Sequence, residues 1–115
     1  MRVFIVGLGL MGASYALGLS NKGYHVDGYD LNNEIINQAI HENVIKTGDL
    51  KALKQADLII LALYPKDNVA FLKNHLHMLN KQQIITDLSG TKLWMIDQIE
   101  RILPKHIHYI SHHPM

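Results

Sequence analysis

The sequence predicts an α/β fold: a doubly wound, mostly parallel sheet flanked by helices, in a single domain. Three observations carry that expectation. Short apolar runs alternate with amphipathic stretches, as in successive βαβ units. A glycine-rich turn at residues 7–12 joins an apolar run to a stretch of helical composition. Residues 57–63, DLIILAL, are apolar on both faces, as a central parallel strand must be.

Arg2 to Val6 reads as a buried strand, and Leu10 to Lys22 as a helix of small and apolar residues that Gly23 stops as a C′ glycine. Tyr24 to Tyr29 is a second strand. Asn32 or Asn33 caps a helix through about Glu42, with Ile35, Ile36, Ala39 and Ile40 on one face. Residues 44–56 fit a short strand and a short helix. After the 57–63 strand, Pro65 stands at a helix start, where proline is tolerated, and Val69, Leu72, Leu76 and Leu79 follow at helical spacing. Gln83 to Asp87 is a strand. Thr91 can cap a helix with an Ile96, Ile99, Leu103 stripe, ended by Pro104, and His106 to Ser111 is the last strand. The chain then stops at His112-His113-Pro114-Met115, with no turn or cap after it, which leads us to expect a fragment that lacks a downstream domain.

At 115 residues the chain has the length of one domain. With 48% hydrophobic and 18% charged residues, its composition is that of an ordered soluble protein. The net charge of +1 provides no field for nucleic acid or an anionic membrane, so neither is expected as a partner. The absence of cysteine excludes disulfides, Cys-based zinc sites and cysteine nucleophiles, and fits a cytoplasmic setting. The apolar stretch from Val3 to Leu19 is broken by glycines that would also break a signal helix, and Leu58 to Leu63 is too short to span a bilayer.

Gly7-Leu8-Gly9-Leu10-Met11-Gly12 is a G-x-G-x-x-G directly after a strand and at the start of a helix, the context that gives the motif meaning. The first glycine allows the tight turn. The second lets a pyrophosphate approach the backbone, and the third lets helix and strand pack closely. The helix N-terminus then offers free N–H groups to phosphate. This makes the expected fold a Rossmann-type dinucleotide-binding domain. Asp30 closes the second strand, eighteen residues after Gly12, where a carboxylate accepts hydrogen bonds from the adenosine ribose and repels a 2′-phosphate. No arginine follows it, so NAD is favoured over NADP. The blander reading makes Asp30 a cap for the next helix.

Leu63-Tyr64-Pro65 lies at the carboxyl edge of the sheet, either lining the cofactor or forming a plain strand-to-helix turn. Asp87-Leu88-Ser89-Gly90-Thr91-Lys92 follows the next strand on the same edge. Either its hydroxyls meet nicotinamide or substrate, or it is a turn capped by Thr91. Of eight histidines, His106 and His108 can share a strand face, but no cysteine or nearby carboxylate completes a ligand set, and no metal is expected. His112-His113 ends the last strand on the ligand edge, where a histidine acts as general base or plays a structural part.

VGLGLMG, GYD, DLIILALYP, DLSGTK and the final SHHPM, taken together, resemble the amino-terminal nucleotide-binding domain of the prephenate dehydrogenase family. The resemblance runs over essentially the whole chain. Its specific part is the D-x-x-[SG]-x-K loop followed by H-P-M. It implies NAD(P)-dependent oxidation of prephenate with loss of carbon dioxide, giving 4-hydroxyphenylpyruvate on the route to tyrosine. Close relatives take arogenate instead. It also implies that His113, directly before Pro114, bonds the ring hydroxyl as hydride leaves for the nicotinamide. His112 stands where the family commonly has glycine. The family commonly has serine at the third place after the loop aspartate. Here that place is Gly90, so Ser89 is only the candidate for the hydroxyl contact, with Thr91 as its alternative. Residues 1–115 are then the NAD-binding domain of an enzyme whose helical carboxyl-terminal domain, absent here, dimerises and supplies further substrate contacts. This chain alone is expected to bind NAD but to turn over prephenate poorly. Two alternatives stand beside this: a β-hydroxyacid dehydrogenase, which shares the GLGLMG start, and an NAD-binding module without chemistry.

Overall fold

Five parallel strands form one sheet in the order β2-β1-β3-β4-β5, where β1 is Arg2–Val6, β2 His25–Tyr29, β3 Leu58–Leu61, β4 Ile84–Asp87 and β5 His108–Ile110. The computed structural model describes residues 1–88 and 93–111. The helices are α1 (Leu10–Asn21), α2 (Asn33–His41), α3 (Pro65–His75) and α4 (Leu93–Ile102), with 3₁₀ turns at Leu50–Gln55 and Leu76–Met78. The expected Thr91 cap of α4 lies outside the described residues.

The sheet is wound on both sides. Val3, Ile5, Val26 and Ile60 pack under α1 and α2 through Ala16, Ile36 and Ala39. Phe4, Val6, Ile59, Leu61 and Ile85 pack under α3, α4 and the 50–55 turn through Val69, Leu72, Met95, Ile99 and Leu53. The expected central strand is therefore β3, and its side chains feed both layers. The chain changes face between β1 and β3, which opens a crevice at the carboxyl edge where ligands of such sheets bind.

Local chemistry explains the boundaries. Gly23, at φ +93°, lets α1 end in a Schellman pair: Gly23 N–H donates to the Ser20 carbonyl and Tyr24 N–H to the Leu19 carbonyl. Of the two asparagines that could cap α2, Asn32 does so, its side chain accepting from Glu34 N–H. On α2, Ile36 and Ala39 are buried and Ile35 half-buried, while Ile40 is exposed. The strand expected between residues 44 and 56 does not form a regular ladder. Residues 44–47 lie along the outer edge of β2, with Lys46 N–H donating to the Val26 carbonyl and Gly28 N–H to that of Thr47. A parallel ladder would take the second bond from residue 46, so the pairing slips after one contact. The helix expected there is the 3₁₀ turn capped by Asp49, and buried Gln83 takes up its last carbonyls, donating to Leu53 and Ala56.

The last strand is shorter than expected. Ile107 N–H donates to the Pro104 carbonyl, which makes 104–107 a turn. His106 belongs to that turn, so His106 and His108 do not share a strand face; both are exposed. β3 stops at Leu61, two residues early, because the amide of Leu63 turns to the side chain of Asn68.

Candidate functional site

A cavity of about 670 Å³ crosses the carboxyl edge of the sheet. Gly7, Gly9, Leu10, Met11, Asp30, Leu63, Tyr64 and Pro65, all expected at the cofactor, line it. Leu31, Ala62, Asp67 and Leu88 complete the wall. Leu8 and Gly12, also expected there, do not line it. The Leu8 side chain is buried in the α1/α2 core, and only its backbone reaches the site. Gly12 is buried at the base of α1.

The three glycines of the turn have separable reasons. Gly7 takes φ +105°, and a Cβ there would stand 2.7 Å from the Ala62 carbonyl carbon. A Cβ on Gly12 would fall on the Gly7 carbonyl oxygen. Both are demanded by the fold. Gly9 is different. Its φ of −69° and ψ of −166° suit any residue, and a Cβ there meets nothing within 4 Å. No atom of the described residues requires glycine at position 9. The open cavity does, if a ligand comes up against the backbone.

The start of α1 supports that reading. Gly9 provides no side-chain cap, and the first turn carries no acidic residue. The first helical bond runs from Ala13 N–H to the Gly9 carbonyl, so the N–H groups of residues 10–12 have no partner within the helix. By contrast α2 and the 50–55 turn are both side-chain capped. An uncapped helix start on a cavity suits a pyrophosphate, through its N–H groups and the helix dipole.

Asp30 resolves its two readings in an unexpected way. It does not cap α2, which Asn32 does. Its Oδ2 accepts from Leu8 N–H at 2.8 Å and its Oδ1 from Asn32 N–H at 2.9 Å. The carboxylate thus ties the glycine turn to the end of β2 while lining the cavity. Each oxygen keeps acceptor capacity for a ribose hydroxyl.

Two buried polar groups hold segments next to the cavity, in contacts that sequence reasoning did not foresee. Asn68 is fully buried. Its Oδ1 accepts from Leu63 N–H at 3.0 Å, and its Nδ2 donates to the Leu63 carbonyl at 3.1 Å, clamping the turn that carries Tyr64 and Pro65. An asparagine four residues into a helix gives no sequence signal for this. Asp87, also fully buried, accepts a hydrogen bond from the Tyr109 hydroxyl and so joins the end of β4 to β5. Burial, and then the Asp87 carboxylate, raise the Tyr109 phenol well above its ordinary value of 10.0. The folded chain therefore holds this proton to higher pH than the unfolded chain. The contact contributes fully below about pH 10 and is lost as pH rises beyond it. Tyr109→Phe is expected to lower stability by about 1–3 kcal/mol at neutral pH, and alkaline thermal melts should show the gap to the parent narrowing above that pH. An unchanged gap would show that the hydroxyl is not the stabilising group.

Ser89 and His113, the expected catalytic residues, lie outside the described residues, as do Thr91 and Lys92. Among the described residues, no three His, Asp or Glu side chains gather as a metal site.

An open parallel sheet with a glycine turn, an uncapped helix start and an acidic end to β2, all on one crevice, defines a Rossmann-type dinucleotide-binding domain. Comparison with known proteins narrows the class. The chain belongs to the family described as "Prephenate dehydrogenase, nucleotide-binding domain", whose profile matches residues 15–115. That match begins after the glycine turn, but similar full-length proteins cover the turn as well. The prephenate dehydrogenase of Bacillus subtilis (strain 168) is 27% identical over 119 residues, covering 98% of this chain and 32% of the relative. The crystal structure of Synechocystis arogenate dehydrogenase superposes with a TM-score of 0.89 at 25% identity, covering 99% of this chain and 41% of that one. That of prephenate dehydrogenase from A. aeolicus, in complex with hydroxyphenyl propionate and NAD+, gives 0.82 at 27% identity, covering 100% and 42%. The chain thus spans about a third of the length of the curated relatives it matches. The family assignment decides against the β-hydroxyacid dehydrogenase alternative.

Proposed function

We propose that this chain is the NAD+-binding part of an enzyme that oxidatively decarboxylates prephenate to 4-hydroxyphenylpyruvate in tyrosine biosynthesis. The single observation that carries NAD+ binding is Gly9, a glycine that no described residue requires and that an incoming ligand would. In this reading the N–H groups at the start of α1 hold the pyrophosphate, Asp30 holds the adenosine ribose, and Leu63, Tyr64 and Pro65 form the opposite wall. Bound NAD+ supplies the hydride acceptor. His113 accepts a hydrogen bond from the substrate hydroxyl as hydride departs, and Ser89 is the candidate for a second contact. The remaining expectations travel with this reading: prephenate as small-molecule partner, a homodimeric complete enzyme, no nucleic acid or membrane partner, and a cytoplasmic setting. Among the described residues no helix is long and apolar enough to cross a membrane.

Arogenate is the second reading, favoured by the close superposition on the Synechocystis arogenate dehydrogenase. The cofactor cavity is blind to this choice, because the two substrates differ only in the side chain remote from the transferred hydride.

Calorimetric titration tests the cofactor assignment. The chain is expected to bind NAD+ at least tenfold more tightly than NADP+, since Asp30 and Asp67 are the only charged residues lining the described cavity and a 2′-phosphate near Asp30 meets like charge. Asp30→Ala should weaken NAD+ and shrink that ratio. NADP+ binding as tightly as NAD+ would overturn the assignment. Circular dichroism of the variant accounts for the two backbone hydrogen bonds it also loses.

A further inference from the structure

One cavity-lining carboxylate has no ligand contact assigned to it in the function proposed above. Asp67 is half-buried on the α3 side of the crevice and takes no hydrogen bond or ion pair from any described residue. It is the third residue of α3, where an acidic side chain ordinarily serves the helix dipole from open solvent. Here it lines the same cavity as Asp30 and Leu31.

The layout of that cavity decides what reaches Asp67. With the pyrophosphate at α1 and the ribose at Asp30, the base occupies the part of the cavity beside the end of β2. Leu31 bounds that part on one side. Across the switch between β1 and β3 stand Tyr64, Pro65 and Asp67. The nicotinamide half runs the other way, toward Leu88 at the end of β4. Leu31 and Pro65 offer apolar contact to a planar base, and Tyr64, 82% exposed at the rim, offers a ring to stack on it. A part of the cavity lined by apolar side chains and a carboxylate calls for a base with a hydrogen-bond donor on its edge.

We propose that Asp67 is a specificity residue for the base: its carboxylate accepts a hydrogen bond from the 6-amino group of adenine, so that the site selects 6-aminopurine over 6-oxopurine dinucleotides. The inference rests on the NAD+ reading. With the carboxylate facing position 6, a 6-oxo base places a carbonyl oxygen there, replacing a charge-assisted hydrogen bond with repulsion between two acceptors, and its N1–H is reached only if the base shifts in the site. A site built to receive a donor rejects the analogue that lacks it.

The test is calorimetric titration of the chain with NAD+ and with nicotinamide hypoxanthine dinucleotide, whose base carries a 6-oxo group and an N1–H where adenine carries a 6-amino group and a bare N1. The parent chain is expected to bind NAD+ about tenfold more tightly, the size of a partly exposed charge-assisted hydrogen bond. Asp67→Ala should bring the ratio to about one. Asp67→Asn should also level it, because an amide can accept from the amino group or donate to the carbonyl. If NAD+ binds and the ratio is the same in parent and variants, the inference falls and the cofactor assignment stands. If both dinucleotides weaken equally in Asp67→Ala, the carboxylate acts only through the helix, and the inference falls. If neither dinucleotide binds the parent chain, the inference and the NAD+ reading fall together.

Discussion

Gly12→Ala is expected to destabilise the chain by about 3 kcal/mol or more, while Gly9→Ala leaves its melting temperature within a degree or two and costs dinucleotide binding instead. The two residues stand three apart in one motif, and their predicted phenotypes are opposite. At Gly12 a Cβ would fall on the Gly7 carbonyl oxygen. That oxygen is backbone, in a residue whose own conformation is left-handed and whose space is bounded by Ala62 and Leu63, so it cannot give way cheaply. The strain spreads into the contact between α1 and β1 on which the turn depends. For a domain whose whole stability is about 5–15 kcal/mol, a loss of that size is visible in any melt. At Gly9 the added methyl group meets no atom of the described residues within 4 Å. Its cost appears only when a pyrophosphate tries to approach the backbone. We expect NAD+ affinity to fall at least tenfold, about 1.4 kcal/mol. Paired thermal melts and calorimetric titrations decide the matter. A Gly9→Ala chain that binds NAD+ like the parent would remove the main support for a cofactor at this cavity.

His113→Asn, measured as NADH formation from prephenate by the full-length protein, is expected to lower kcat by about 10²–10⁴-fold, the usual contribution of general acid–base catalysis. The expectation rests on the place of His113 directly before Pro114 and on the family to which the chain belongs. If the histidine accepts the hydroxyl hydrogen bond during hydride loss, the loss falls on kcat rather than on NAD+ affinity, because that contact is made to the substrate and not to the dinucleotide. The pH profile should change with it. The neutral imidazole is the competent form, so the parent's rate falls on the acid side of the histidine range, and that limb should vanish in the variant. Loss of NAD+ binding with unchanged kcat would make the residue structural. An unchanged rate would favour a nucleotide-binding module whose chemistry, if any, resides elsewhere.

Much of the fold was legible because it is written in periodicity. DLIILAL reads most clearly as a strand buried on both faces, and its Leu58–Leu61 part occupies the middle of the sheet. Pro65 and Gly23 mark helix ends through backbone constraints that act within one or two residues. The glycine turn was readable for the same reason, since its motif combines a strand end, a tight turn and a helix start within six residues. Where expectation and structure part, a distant partner decided. Residues 44–47 have the composition of a strand, yet after Lys46 their pairing along β2 slips by one residue. Position 106 has the alternation of a strand, yet the Pro104 carbonyl captures the amide of Ile107 and turns the chain.

At the site, the sequence by itself determined the residue types of the proposed dinucleotide site and the sheet edge on which they meet: three glycines, an acidic close to β2, and the proline turn after β3. All of these follow from local geometry and from a spacing along the chain. Only the tertiary structure decided which glycines the fold requires and which one it leaves free to meet a ligand, because the difference lies in atoms of Ala62 and Gly7 that no spacing reveals. Only it showed that Asp30 also ties down the turn through Leu8, that Asn68 clamps the opposite wall, and that Asp67 faces the same cavity from a different βα unit. These are contacts between segments 22 or more residues apart, or side chains that turn back on their own loop. Their partners are set by how two layers of helices close over one sheet, a relation that composition and periodicity do not encode.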